Sequence, residues 1–422
     1  MTANAVALTR GRRGGSSSPS YGWIKLSLFS ASSPAGIAAR IAFFYVAIFL
    51  ILGISLPYFP LWLKAQGLSA VEIGLVTSVP LFIRIATTPM IGIAADRSGS
   101  VKGVVLAGAG VAMLSALALM GVEGLWPILV LFSVFQIASL ALMPLAEVVA
   151  MREVRQHGLD YGRMRLWGSL AFIAANLGGG LALAGYGAHS ILVLIIAASL
   201  VTLLAGAGLP GGGARRETGK GISLKAMMVQ LARADLLLIM AASGLIQAAH
   251  AVYYAFSAIH WQAQGLPETT FGVLWSIGVI AEVVLFAYAG RALKRIGALN
   301  MIAIGAAGSL VRWGAMASDP SFGLLVVLQL LHGLTFGATH LGVVHAIQER
   351  VRPDQAASAQ SLHSALSSGI MMGGAMALAG AIYGPLGGLS YLVMVVLAAG
   401  GGGLVLAAMR FEARSGVGRE TG

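Results

Sequence analysis

Four charged residues stand where an apolar chain accommodates charge least easily. Arg84, Glu147, Glu282 and Arg312 each fall inside a hydrophobic stretch long enough to be a membrane helix. A charge at that depth costs about 2.5–3.5 kcal/mol on insertion scales, so such residues mark solute and ion pathways. Arg84 lies twelve residues beyond Glu72, which is about 18 Å of helix and near the middle of a hydrocarbon core of roughly 30 Å. A guanidinium there is a charge-assisted hydrogen-bond donor for a carboxylate solute. A carboxyl there, Glu147 or Glu282, is a candidate proton carrier.

Polar and aromatic residues extend these positions into stripes. Gln247, His250, Tyr254, Ser257 and Trp261 recur at three- and four-residue spacing, which puts them on one face of a helix. Polar groups in a membrane must be satisfied inside the protein, so this face looks at a cavity or at another helix. Aromatic surface with few polar handles suits an aromatic solute; the alternative is plain helix packing with a satisfied histidine. Arg165 is followed by Ser169, Phe172 and Asn176 on one stripe, and Glu147 shares a face with Ser133 and Gln136. Glu147 and Arg165 flank a short hairpin, so the two side chains can meet. His332, Thr335 and Thr339 share a face, with His340 turned away by about 80°.

The elements that must hold these residues follow from composition. The chain has 422 residues, 58% hydrophobic and only 10% charged, against roughly 25% charged in soluble domains. That excludes a soluble globule and a disordered chain. Windows of about 20 apolar residues occur twelve times, near 37–62, 72–95, 103–122, 125–151, 164–186, 189–208, 236–262, 270–291, 298–318, 321–347, 359–384 and 387–410. The expected fold is an all-α membrane protein of twelve transmembrane helices. Residues 1–36 read as a basic, Gly/Ser-rich disordered tail without the apolar core of a secretory signal. There is no cysteine, and no nucleotide-binding loop or metal-ligand cluster is legible, so neither ATP-driven transport nor a metal site is expected. Glu147 and Glu282 sit at unequal depths, which argues against a paired-carboxylate enzyme.

Of the 27 Lys and Arg residues, all but Lys64, Arg84 and Arg312 fall on one side of this topology. By the positive-inside rule that side is cytoplasmic, and both termini lie there. The formal charge of +12 is thus a topology signal, and a nucleic-acid partner is not expected. An internal repeat at an offset of 198 residues carries Ala65-Gln66-Gly67-Leu68 onto Ala263-Gln264-Gly265-Leu266, Gly74 onto Gly272, Arg97 onto Arg295 and Arg152 onto Arg350. Two pseudo-symmetric six-helix halves follow, 37–208 and 235–411, joined by a cytoplasmic linker at 209–234 and ending in a tail at 412–422. Repeats of this kind bind solute at their interface near the midplane. The same offset carries Arg84 onto Glu282, opposite charges at matching depth.

Gly92-Ile93-Ala94-Ala95-Asp96-Arg97-Ser98-Gly99 resembles the signature of the major facilitator superfamily, with Gly92, Asp96, Arg97 and Gly99 as its gating residues; Ser100-Val101 replaces the basic pair that commonly follows. The runs Asp160-Tyr161-Gly162-Arg163 to Trp167-Gly168-Ser169 and Gln247 to Tyr254, with Ala281-Glu282-Val283 and Val311-Arg312-Trp313-Gly314, resemble the 3-phenylpropionate permease group, relatives of lactose permease. The resemblance covers about residues 37–410 and implies several roles. Glu147 and Arg165 match an acid–arginine pair that binds sugar in lactose permease. Arg312 and His332 match an arginine and a histidine of its proton-coupling group. That group's next acid is Thr335 here, and its basic residue on helix 11 falls at Ser368, so Glu282 is the substitute proton carrier. The expected protein is a monomeric proton symporter of the bacterial inner membrane, with the lipid bilayer as its setting and no cofactor beyond the coupling proton. Its solute is a small aromatic carboxylate such as 3-phenylpropionate. Arg84, Glu147, Arg165, Gln247, His250 and Tyr254 are the expected solute ligands; Glu147, Glu282, Arg312 and His332 are the expected coupling residues. A sugar or nucleoside symporter and a drug–proton antiporter are the alternatives.

Overall fold

The computed structural model describes residues 33–211, 233–353 and 355–415. Most of the proposed tail and linker, and the last seven residues, lie outside that set. Among the described residues the chain is helical without strands. Six helices form the first half: α1 Pro34–Ala65, α2 Ala70–Ser98, α3 Val101–Ala118, α4 Leu125–His157, α5 Tyr161–Tyr186 and α6 His189–Gly208. The second half holds α7 Ala234–Ala263, α8 Glu268–Ala287, α9 Ala298–Met316, α10 Phe322–Arg350, α11 at 356–386 and α12 Ser390–Ser415.

Helix ends sit where short polar side chains satisfy orphan N–H groups. Ser33 Oγ accepts from the Gly36 N–H, and Pro34 opens α1 three residues before the expected boundary. Ser69 and Glu72 form a reciprocal capping box on α2, and Asp160 caps α5 by accepting from the Arg163 N–H. The signature segment ends α2 at Gly99, whose φ of +64° is strained for any residue with a Cβ, and Ser100 at once caps α3.

Residues 356–414 form one apolar helical run of 59 residues. At 1.5 Å per residue that is about 90 Å, far more than one bilayer. The chain turns at Gly387, with φ +53°, to give two spans. A second feature escaped the hydropathy reading. Ala289–Ile296 is a separate helix bent 102° from α9, with Arg291, Lys294 and Arg295 on it; a short basic helix at such an angle lies along the membrane surface. The corresponding stretch of the first half simply continues α2.

The two halves repeat one packing pattern. Within the first, α1 packs on α5 and α6, α3 on α4 and α6, and α2 on α4. Within the second, α7 packs on α11 and α12, α9 on α10 and α12, and α8 on α10. Across the halves the contacts are α2 with α11, α5 with α8, and α1 with α7. The small residues matched by the repeat allow the first two contacts. A Cβ on Gly74 would come within 2.6 Å of the Gly380 Cα, and Gly272 lies directly on the Asn176 backbone. Close approach through glycine is how membrane helices gain packing energy without a hydrophobic drive.

The closure is one-sided. The buried residues of α2 cluster from Ile73 to Pro80, and those of α8 from Phe271 to Gly278. Toward the face that carries Arg97, Arg152, Arg295 and Arg350, α2 becomes largely exposed and α8 has no buried residue beyond Gly278. The halves are therefore sealed at the face away from these arginines, and the space between them opens toward the basic face.

Candidate functional site

Between the halves lies a cavity of about 380 Å³, within the range of small-molecule sites. Phe49, Leu52 and Leu56 of α1, Met143 of α4, and Arg165, Ser169 and Phe172 of α5 line one wall. Tyr253 and Tyr254 of α7, Trp275, Val279, Glu282 and Phe286 of α8, and His332, Phe336 and His340 of α10 line the other. The walls are aromatic and aliphatic, with two charges facing one another: Arg165 in the first half and Glu282 in the second.

Arg165 sits one turn into α5. Its Nε is 3.9 Å from Glu147 Oε1, and its guanidinium stacks over Phe49 at 4.2 Å from the ring centroid. The structure thus brings together the acid and base that the sequence paired across the hairpin. Tyr45 and Tyr161 lie beside Glu147, close enough to feel its charge, although Tyr45 Oη makes no hydrogen bond of ordinary geometry.

The second cluster is ordered around Arg312, which is completely buried. Its Nη1 donates to His332 Nδ1 at 3.0 Å and to Thr335 Oγ1 at 3.1 Å, and its Nη2 donates to Gln329 Oε1 at 2.8 Å. Tyr253 and Trp313 present their ring faces at 4.8 and 4.6 Å. No carboxylate stands within 4.0 Å of it among the described residues. Its neutralisation runs through His332, whose Nε2 is 3.7 Å from Glu282 Oε2.

Donor logic assigns the protons in this cluster. Arginine only donates, so His332 Nδ1 is the acceptor, and a neutral His332 carries its proton on Nε2, aimed at Glu282. His250 Nδ1 is 3.0 Å from the Gln247 carbonyl and 3.2 Å from that of Ile246, so it donates there. His250 Nε2, 3.0 Å from Thr335 Oγ1, then accepts the threonine hydroxyl proton. Every hydrogen bond from the α7 backbone to His332 has one allowed direction.

Two backbone irregularities produce this geometry. Helix α7 breaks at Ala249–His250, between segments ending at Ala248 and starting at Ala251. Helix α10 passes through a π-helical stretch at Gly333–Ala338, a form concentrated at functional sites. Gln247 Nε2 donates to the Phe336 carbonyl within that stretch at 3.4 Å. Gly278 admits His332 to the α8 surface; a Cβ at that position would lie 3.2 Å from the His332 Cβ.

The expected site residues therefore divide. Arg165, Glu282, His332 and Tyr254 line the cavity, and Glu147 pairs with Arg165 behind them. Gln247 and His250 belong to the α7–α10 contact, and Arg312 backs His332. Arg84 is half-buried on α2, apart from this cavity, and has no hydrogen-bond or ion-pair partner among the described residues. Asp96 and Arg97 lie in the last turn of α2 at the basic face. Gln329, Tyr253, Trp275 and Phe336 escaped the sequence reading. Gln329, a polar residue three positions before His332, was legible by spacing, as was Trp275, seven before Glu282. Phe336, four positions after His332 and stacked on its ring, was legible in the same way, whereas Tyr253 stands one residue off the stripe that carries Tyr254.

Comparison with known proteins places this geometry in a family. The model of the MFS_1-like family matches residues 38–391. The chain is 33% identical over 363 residues to a probable 3-phenylpropionic acid transporter of Escherichia coli strain K12, covering 84% of this chain and 93% of the relative. It is 30% identical over 353 residues to a maltose permease of Geobacillus stearothermophilus, covering 79% and 86%. Among solved structures, the nucleoside transporter NupG superposes with a TM-score of 0.78 at 18% identity, covering 89% of this chain and 98% of that one. A bacterial homologue of the human lysosomal transporter Spinster, inward-facing and unoccupied, gives 0.72 at 13% identity, covering 90% and 98%. The twelve-helix, two-half architecture and the family match agree: the chain belongs to the MFS_1-like family and is a multi-pass membrane transporter of the major facilitator type, not an enzyme.

Proposed function

We propose that the protein is a proton-coupled importer of a small aromatic monocarboxylate, of which 3-phenylpropionate is the type. The observation that carries this reading is the composition of the cavity wall. One accessible guanidinium, Arg165, and one accessible carboxyl, Glu282, face each other across a space otherwise lined by aromatic and aliphatic side chains. An aromatic ring fits between Phe49, Phe172, Tyr254 and Trp275, and a single carboxylate fits Arg165 as a charge-assisted acceptor. Arg84, without a partner on α2, offers a second anion-holding position at matching depth in its half.

Glu282 carries the proton. His332 cannot take one on Nδ1 without losing Arg312, so it serves as a donor to Glu282. A neutral Glu282 leaves the cavity one negative charge poorer, which an arriving carboxylate restores; proton and solute thereby favour one another's binding. The basic face is cytoplasmic by the positive-inside rule, both termini lie on it, and the cavity is then open inward. The membrane is the bacterial inner membrane, and each monomer holds a whole cavity. A sugar or nucleoside solute, as in the maltose permease and NupG, needs a ring of hydrogen-bonding side chains, and this wall has few.

The test is uptake of labelled 3-phenylpropionate into proteoliposomes with and without an inward proton gradient. Accumulation driven by the gradient is expected, and Glu282→Gln should abolish it while leaving solute exchange. Equal uptake with and without the gradient removes the coupling claim. Uptake of maltose or a nucleoside in place of the acid removes the solute claim.

A further inference from the structure

The short helix Ala289–Ile296 breaks the likeness of the two halves. At the offset of 198 residues it falls on Ile91–Ser98, where α2 runs on as one helix. The charges differ as well. Ile91–Ser98 carries one acid and one base, Asp96 and Arg97, whereas Ala289–Ile296 carries Arg291, Lys294 and Arg295 and no acid. At about 100° per residue the three cations fall within about 100° of one another, with Ala289, Leu293 and Ile296 on the opposite side. This is the pattern of a helix that lies in a membrane interface.

Nothing among the described residues neutralises these cations. All three are exposed, and none of their side chains has a hydrogen-bond or ion-pair partner there; Arg291 rests over the Tyr288 ring at 5.9 Å. The described acids of the same face outside α2 are engaged elsewhere. Glu153 pairs with Arg152, Asp160 with Arg163, Asp235 with Arg233, and Glu349 and Glu412 with Arg350. Beside the cations, Tyr288 is 56% and Ile296 37% exposed, an aromatic and an aliphatic side chain at the level where membrane proteins anchor in the interface.

We propose that Ala289–Ile296 is a binding site for anionic phospholipid headgroups in the leaflet at the basic face, with the phosphodiester held by Arg291, Lys294 and Arg295 and the acyl chains against Tyr288, Leu293 and Ile296. The attraction of Lys and Arg to an anionic leaflet falls off within a Debye length, so the 102° bend that lays the helix along the surface keeps all three cations within reach. An arginine fork takes two phosphate oxygens at once. The helix follows α8 after the single residue Tyr288, and a headgroup held there fixes the basic-face end of the helix that carries Glu282. The site stands apart from the central cavity and is independent of the solute and coupling ion proposed above.

Because the chain contains no cysteine, one introduced cysteine carries one fluorophore. Gly290→Cys places it on the short helix and Gly92→Cys at the matching position of the first half; a Cβ meets nothing within 4 Å at either. The full chain is reconstituted in vesicles of equal parts phosphatidylglycerol and phosphatidylcholine, with a spin label near the top of one acyl chain on the same fraction of one lipid or the other. Phosphatidylglycerol should quench the fluorophore at position 290 at least about fivefold more than phosphatidylcholine, the gain of a single cation near an anionic surface. At position 92 the two lipids should quench to nearly the same extent. Arg291→Gln with Lys294→Gln and Arg295→Gln should bring the ratio at position 290 close to one, whereas Arg291→Lys with Lys294→Arg and Arg295→Lys should keep it. A ratio near one in the parent, an equally large ratio at position 92, or a ratio that survives loss of the three charges overturns the site. Replacing buffer chloride by inorganic phosphate at constant ionic strength should change nothing; a ratio that then collapses makes free phosphate the occupant and overturns the lipid assignment.

Discussion

Replacing His332 separates a fixed hydrogen-bond bridge from a proton relay. Its Nδ1 accepts from Arg312 at 3.0 Å, and its Nε2–H points to Glu282 at 3.7 Å. Leucine in its place fills the volume and removes both functions. The Arg312 guanidinium then keeps only Thr335 and Gln329 as hydrogen-bond acceptors, and its Nε already has no partner. Leaving a buried charged donor unsatisfied costs about 1–3 kcal/mol or more, so His332→Leu should lower stability in detergent by that amount. Glutamine retains an acceptor oxygen and a donor nitrogen, and His332→Gln should recover most of the loss. Thermal unfolding in detergent gives the first readout, and gradient-driven against exchange transport in proteoliposomes the second. His332→Gln should keep gradient-driven accumulation within about threefold of the parent, a cost below 1 kcal/mol. If His332→Gln loses accumulation while keeping exchange, as expected for Glu282→Gln, then His332 carries the proton and the tautomer assignment is wrong. If leucine and glutamine are equally stable, the bridge to Arg312 has no energetic content.

The same geometry makes other substitutions informative. Arg165→Gln should weaken binding of aromatic carboxylates by about 10- to 100-fold, the worth of a charge-assisted hydrogen bond of roughly 1.5–3 kcal/mol, and leave the corresponding neutral amide nearly unchanged; an equal loss for both in a binding titration would remove its role as the anion anchor. Gly74→Val puts a side chain where a Cβ already comes within 2.6 Å of the Gly380 Cα, an overpacking of about 1–3 kcal/mol confined to the state sealed at that face. A single cysteine at Leu56, which lines the cavity near its sealed end, should then react faster with an impermeant maleimide added from the side opposite the basic face, and an unaltered rate would mean that this contact does not set the conformational balance.

Reading the chain as a sequence located most of what the membrane itself dictates. Twelve apolar windows, the one-sided arginines and the 198-residue repeat follow from hydrophobic thickness, charge asymmetry and duplication, all of which are properties of residues along the chain. The Glu147–Arg165 pair was legible for the same reason, since a short hairpin forces its two flanks together. The surface helix Ala289–Ile296 was absorbed into its neighbours, because a hydropathy window cannot register a bend of 102°.

What only the tertiary structure decided is which buried charge faces which neighbour. Helical periodicity orients a side chain relative to its own helix and says nothing of the helix opposite. Arg84 and Glu282 match by repeat, yet Glu282 lines the cavity, within 3.7 Å of His332, and Arg84 is not among the residues that line it. His250 shares a stripe with Tyr254, but the break in α7 leaves it bonded to Thr335 and its own backbone, and so it positions other groups instead of facing solute. The direction of every proton from His250 to Glu282 depends on contacts between residues 20 to 85 positions apart. Those contacts form only when the helices pack, and no spacing along the chain contains them.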